Sequence, residues 1–348
     1  MLAGSVVLCV LFCEFVMFRL VWVASDAPAN AFLDGVVRYA PNQQGVWRVR
    51  DEIAAPYAIN RQGWNSGVGD YAVERRAGVP RVALVGDSFV EALQVPHDRS
   101  LGERLAHDLA SNGRPVQVYR FAISGAPLSQ DLQMTEHEVA RYRPDWLVVV
   151  MTDLDFDNSY RFQPGRYTSS FLKLRVADGR VAGEVPPVPW HADWREWLRM
   201  TATSRYFLYR WRVRPEGLVG WLLPHAEAAG LDEALPDAAN VAAATDYLFR
   251  RMAEAARGIE ARLLLVMVQN SAMIYAGRDG AQAPLNRLAA AIAKKDDVAF
   301  LDLDSAFAAD WQAEHRHFEF VSDHHWNEHG HIVAADAIAA ALQRTGWP

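Results

Sequence analysis

The stretch Arg81-Val82-Ala83-Leu84-Val85-Gly86-Asp87-Ser88-Phe89-Val90 decides the fold. Its run from Val82 to Val85 is apolar without alternation, the pattern of a strand buried on both faces rather than one face in water. Gly86 follows where the chain has to turn, and Asp87 and Ser88 are residue types that cap a helix start. A serine at such a strand-to-helix turn projects its hydroxyl above the sheet, with the following backbone N–H groups facing the same space.

Apolar runs of the same kind recur at 116–121, 146–151, 263–268 and 298–301. Between them, residues 101–109, 128–142, 241–256, 285–293 and 332–342 carry helical spacing. Alternating buried strands and amphipathic helices predict an α/β chain: a three-layer α/β/α sandwich on a central parallel sheet of about five strands. Such sheets bind ligands at the carboxyl ends of their strands. The third and fourth strands are separated by a long insertion, 156–237. Within it, Asp178-Gly179 between two apolar segments signals a hairpin. Residues 190–214, dense in Trp, Tyr and Arg, read either as an aromatic surface for sugars or the membrane interface, or as a helix packing its aromatics on the core. Residues 25–80, punctuated by Gly, Pro and Asn, read as an irregular lead-in.

The chain has 348 residues, 51% of them hydrophobic and 22% charged, which excludes a disordered chain, a fibre and a multi-spanning membrane protein. A net charge of −7 argues against a nucleic-acid partner. Both cysteines, Cys9 and Cys13, lie in the first 24 residues, so the remainder has neither a disulfide framework nor a thiol nucleophile. Residues 1–24 are apolar except for Glu14 and Arg19 and are long enough to span a bilayer. These two charges, five positions apart, sit about 140° apart round an α-helix and are not expected to pair. Val23-Ala24-Ser25 also suits signal-peptide cleavage, but a retained transmembrane signal anchor is the favoured reading. The domain expectation is therefore anchor 1–24, lead-in 25–80 and a main domain 81–348 with its insertion.

Three segments carry chemistry. Ser88 is the candidate nucleophile. Gly125, ending the second strand, lets the backbone approach a ligand and offer an N–H to an oxyanion. Ser322-Asp323-His324-His325-Trp326-Asn327-Glu328-His329-Gly330-His331 precedes the last helix, and an Asp two residues before a His can orient the imidazole to take a proton from Ser88.

Taken in this order, Gly86-Asp87-Ser88, Gly125 and Asp323-x-His325 resemble the three blocks of the SGNH (GDSL-type) hydrolase superfamily, which has a flavodoxin-like α/β fold. The Asp-x-His-Trp form is similar to the anchored or periplasmic branch that handles acyl groups on polysaccharides, including alginate O-acetylation proteins. Asn60-Arg61-Gln62-Gly63 resembles the lead-in of membrane-anchored members. The resemblance implies Ser88, Asp323 and His325 as catalytic residues and the Ser88 and Gly125 backbones as oxyanion donors. The family's third block places an asparagine after the third strand. Here that register holds Thr152, and Asn158 could serve if the loop folds back toward the serine. Asp153 is a candidate substrate-binding residue.

The expected activity is that of a serine-dependent ester hydrolase or O-acyltransferase. It would act on acyl, notably acetyl, groups of a carbohydrate or envelope polysaccharide. No cofactor is expected. The expected location is the bacterial inner membrane, with the domain outside the cytoplasm and envelope polysaccharide-modification proteins as candidate partners. Two other readings stand beside it: an anchored glycan-binding or assembly protein that keeps the fold without turnover, and a metal-dependent hydrolase. The metal reading rests on six of the eleven histidines lying between 315 and 331. Gly67-x-Gly69-x-x-Ala72 follows no strand and is not a dinucleotide fingerprint, and no phosphate-binding GxxxxGK[ST] loop is present.

Overall fold

The computed structural model describes residues 2–110, 113–161, 165–213, 237–278 and 280–347. Its N-terminal helix α1 (Leu2–Phe12) is exposed throughout and continues as a π-helical turn over Cys13–Val21. Together, Leu2–Val21 is long and apolar enough to cross a membrane, with a mean hydropathy of 2.1. The π-helical winding overturns the expectation for the two charges. An i→i+5 ring brings residues five apart onto one side, and Arg19 Nη2 lies 3.1 Å from a Glu14 carboxylate oxygen.

Of the expected irregular lead-in, 59–80 holds no helix or strand, but 30–58 forms two antiparallel hairpins, β1 (Asn30–Leu33) with β2 (Val36–Tyr39) and β3 (Gln44–Val49) with β4 (Ile53–Ala58). Asp34 and Gly35, at φ 51° and 80°, make the first turn, because two left-handed residues match the twist of the paired strands. Val36 and Val37 are fully buried in the main core. Arg38 crosses to the buried Glu138, 3.0 Å away, and lies over the Trp64 ring.

The central sheet has the order β11-β10-β7-β5-β6, all parallel, from β5 (Arg81–Gly86), β6 (Gln117–Ala122), β7 (Trp146–Met151), β10 (Arg262–Met267) and β11 (Ala299–Asp302). Each matches an apolar run of the sequence within a residue or two. Alternate residues of β5 feed different cores. Ala83 and Val85 join α4 (Leu128–His137), α8 (Ala238–Gly258) and α10 (Pro284–Lys295) on one face. Val82 and Leu84 join α3 (Leu101–Leu109), α11 (Asp304–Glu314) and α12 (Glu328–Arg344) on the other. That is the three-layer sandwich. From β5 the chain passes first to β6 on one side and then to β7 on the other, so the β5–β7 carboxyl ends form a topological switch point.

The insertion contains the expected hairpin, β8 (Lys173–Ala177) and β9 (Arg180–Val185), which packs on α8. Its aromatic part is a broken helix rather than one rod: α6 (Trp194–Arg199), α7 (Ala202–Arg205) and a π-turn over Tyr206–Arg210. Trp194 and Trp197 are exposed, whereas Tyr206 packs on the buried Phe18 with ring centroids 4.6 Å apart. Glu14 caps α7 by accepting the Ala202 and Thr203 amides at 2.8 and 2.9 Å.

Arg38→Met removes the lead-in's partner of the buried Glu138, which keeps Arg141 and the Tyr142 hydroxyl, both at 3.2 Å. It should lower unfolding free energy by about 2 kcal/mol in urea titration. A loss below about 1 kcal/mol would mean that the lead-in is dispensable.

Candidate active site

Ser88 opens α2 (Ser88–Glu91) at the carboxyl end of β5. The turn is made tight by Gly86, where a Cβ would come within 2.7 Å of both the Val150 carbonyl and the Val90 side chain. Asp87 caps the helix through its carboxylate, which accepts the Phe89 amide at 2.9 Å. Ala92, in the left-handed region at φ 55°, ends α2 after one turn.

His325 reaches Ser88 from the loop before α12. Asp323 Oδ1 accepts the His325 amide at 3.0 Å and its ring Nδ1 at 2.5 Å, and His325 Nε2 lies 2.7 Å from Ser88 Oγ. With the carboxylate facing Nδ1, the proton belongs on Nδ1 and the lone pair on Nε2 faces the serine hydroxyl. The loop is fixed from behind. Trp326 is fully buried and donates its Nε1–H to Gln269 at 3.1 Å, while Asn327 caps α12 by accepting the His329 and Gly330 amides. The Asp323 side chain is fully buried. Burial favours its neutral form, but hydrogen bonding from His325 and the charges of His325 and Arg212 outweigh that and hold the carboxyl below its usual range.

Gly125 has φ 73°, a conformation that favours glycine, and lines the same groove as Ser88. The preceding residue is strapped down. Glu91 accepts the Ser124 amide at 3.0 Å and its hydroxyl at 2.5 Å, and Tyr39 donates to the same carboxylate at 2.5 Å. The Tyr167 hydroxyl donates to the Ser124 carbonyl at 2.9 Å. Burial pushes the Glu91 carboxyl up, with the Ser124 and Tyr39 hydrogen bonds opposing it.

After β7, Thr152 is engaged elsewhere: its amide donates to Asp155 at 2.7 Å and its hydroxyl hydrogen-bonds the same carboxyl. Asn158, at the end of α5 (Leu154–Asn158), lines the groove together with Ser88, Gly125 and Thr152. Lys173 Nζ holds its carbonyl at 2.6 Å. Asp153 sits exposed at the groove mouth. The groove has a volume of about 510 Å³ and also borders Asn270 and His325.

The C-terminal histidines do not converge. His325 faces Ser88, His329 pairs with Asp310 at 2.6 Å, His317 packs on Tyr275, and His331 is buried beside Trp326 with its pKa pushed down to about 3 by burial. Among the described residues, no group of three His, Cys, Asp or Glu side chains is placed to hold a metal ion.

Sequence reasoning missed Glu91, Tyr39, Tyr167, Glu52 and Arg212 around this site. Glu52, in the turn of the β3–β4 hairpin, accepts the Val321 and Ser322 amides at 2.8 and 2.6 Å. Only Glu91 left a signal: a lone acid among Phe89, Val90, Ala92 and Leu93 on the buried side of the nucleophile turn.

Residues 215–348, which include Asp323 and His325, match the family model described as "SGNH hydrolase-like domain, acetyltransferase AlgX". No curated protein matches the chain. Solved structures similar to it include TesA, at 15% identity and TM-score 0.40, covering 76% of this chain and 98% of that one. Axe2, an acetylxylan esterase from Geobacillus stearothermophilus, aligns at 12% identity and TM-score 0.42, covering 77% and 95%. A lipase/acylhydrolase from Enterococcus faecalis aligns at 13% and 0.40, covering 78% and 98%.

Three carboxyls, Asp87, Asp131 and Asp155, lie buried beneath the serine and all have raised pKa values, chiefly through burial. Asp87 is pushed up to about 6 from 3.8. A carboxyl raised by folding stabilises fully below its unfolded pKa, and that contribution is lost as pH rises through the folded value. Asp87→Asn keeps the acceptor for the Phe89 amide without the buried charge. It should exceed the native protein in thermal stability by roughly 2–3 kcal/mol near pH 8 and match it near pH 4. A gap independent of pH would contradict this assignment.

Proposed function

We propose that this chain, which carries an SGNH hydrolase-like domain, is a serine ester hydrolase or O-acyltransferase acting on acetyl-type acyl groups of a carbohydrate at a membrane surface. The observation that carries this reading is the continuous Ser88–His325–Asp323 hydrogen-bonded chain opening into the groove after β5–β7. In the first step Ser88 Oγ attacks the acyl carbonyl and His325 Nε2 takes the hydroxyl proton. Asp323 stays ionised and holds the imidazolium. The tetrahedral oxyanion faces the Ser88 and Gly125 amides, which are rigid because Glu91 and Tyr167 tie down Ser124. The intermediate collapses, the alcohol leaves with the proton from His325, and the acyl group remains on Ser88. Water or a sugar hydroxyl then gives its proton to His325 and attacks the acyl-serine, and collapse of the second tetrahedral intermediate releases the acid or the new sugar ester as His325 returns the proton to Ser88 Oγ.

Asn158 supplies the side-chain amide of the oxyanion hole in this account, since the Thr152 amide and hydroxyl are both turned to Asp155. Asp153 at the mouth offers acceptors to sugar hydroxyls. The N-terminal apolar helix anchors the domain to a bacterial inner membrane with the groove outside the cytoplasm.

Ser88→Ala should abolish turnover of an activated acetyl ester and labelling by a fluorophosphonate, while chelators leave native turnover unchanged. Retained turnover in Ser88→Ala would refute the serine mechanism, and glycan binding by native protein that no fluorophosphonate labels would favour a glycan-binding role. Within the mechanism, Asn158→Ala should lower kcat by roughly 100-fold or more, and Thr152→Val by only a few-fold. The reverse ranking would move the third donor to Thr152.

A further inference from the structure

Asp323 has a second partner that the triad does not require. Its Oδ1 serves His325, whereas its Oδ2 accepts a charged hydrogen bond from Arg212 Nη2. Arg212 belongs to the insertion, 111 residues upstream, and its own backbone is in the left-handed region at φ 53°. The segment carrying it is clamped to the chain just after the N-terminal helix and to the β3–β4 turn. Arg205 binds Asp26 and the Ser25 carbonyl, both at 2.8 Å. Arg210 binds the Val23 carbonyl at 2.5 Å, the Arg50 carbonyl at 3.1 Å and Asp51 at 2.6 Å, and the Arg50 amide returns a bond to the Arg210 carbonyl at 2.7 Å.

We infer that Arg212 is a positioning residue for the Ser88 reaction, delivered to Asp323 by a segment docked on the membrane-proximal helix. This inference rests on the serine mechanism proposed above. A carboxylate with one free oxygen can rotate about its Cβ–Cγ bond and withdraw from Nδ1. With Oδ1 on His325 and Oδ2 on a guanidinium that cannot lose its proton, the carboxylate plane is fixed and its negative charge is retained in a buried site. Arg212 never touches the reacting atoms; it acts through Asp323.

The same contact sets the sign of a pH effect. The charged or titratable groups around the Asp323–His325 pair are Arg212 from the insertion, Glu52 from the hairpin, His324 from the loop, Asp87 and Glu91 from the nucleophile turn, and His331 from α12. Of these, Arg212 is the permanent positive charge. Removing it makes it easier for the Asp323–His325 pair to take up a proton, so the acid limb of activity moves to higher pH.

The test uses the full chain in detergent or nanodiscs, with fluorophosphonate titration of Ser88 to count competent sites and an activated acetyl ester as substrate. Per labelled site, Arg212→Gln should lose kcat on the order of tenfold, with the acid limb of kcat/KM raised by about half a pH unit or more. Arg212→Lys keeps the charge, so its acid limb should stay at the native position. Arg210→Met loosens the clamp without touching Asp323 and should raise the acid limb in the same direction. Native labelling with an unmoved acid limb in Arg212→Gln would overturn the role of Arg212 and leave the serine mechanism standing. A native protein that neither labels nor turns over ester would remove the mechanism itself.

Discussion

One buried carboxylate, Asp323, holds the site together. Its side chain is fully enclosed yet ionised, and a charge in that position is tolerated only when its oxygens are matched by donors. Those donors come from two distant parts of the chain: its own loop through His325, and the insertion through Arg212. The loop on which it sits is further held by Glu52, from the hairpin before the first sheet strand. The lead-in and the insertion, which are peripheral in sequence, are therefore part of the support of the loop that carries Asp323 and His325.

The Ser124–Gly125 side of the groove is built on the same plan. Ser124 is fixed by Glu91 from the nucleophile helix, by Tyr167 from the insertion, and indirectly by Tyr39 from the first hairpin. The parallel sheet brings Ser88, Gly125 and Asn158 to one edge by topology alone, because each follows the carboxyl end of a neighbouring strand. The hairpins and insertion then remove the remaining freedom. This division of labour places rigid positioning in the sheet and fine orientation in the added segments, which fits the need to hold donors within fractions of an ångström for electrostatic stabilisation.

Much of this was legible in the sequence where the signal was local. Four unbroken apolar runs, with a fifth at 116–121 interrupted by Gln117 and Arg120, mark the sheet because a strand buried on both faces needs no alternation, and Gly86-Asp87-Ser88 marks the turn at the end of the first. The hairpin β1–β2 was also legible in principle, since Asp34-Gly35 is a two-residue turn between β-branched and aromatic residues, yet the surrounding Pro and Asn gave the region an irregular look. The pairing of Glu14 with Arg19 was not legible, because it depends on π-helical winding that residue spacing on an α-helix excludes. Arg212, Glu52 and Tyr167 leave no local trace either. Each acts across more than forty residues, and an isolated arginine in a chain with 35 basic residues stands out by contact, not by composition.

The account stands on Ser88 carrying the acyl group. Acid-quenching the full-length protein seconds after mixing with an activated acetyl ester, followed by peptide mass spectrometry, tests this directly. One acetyl group should appear on the peptide that holds Ser88, and more of it in Asn158→Ala if that variant slows deacylation more than acylation. An acetyl adduct confined to other residues, or turnover with no adduct at any quench time in native protein and in a His325→Ala variant alike, would contradict the account.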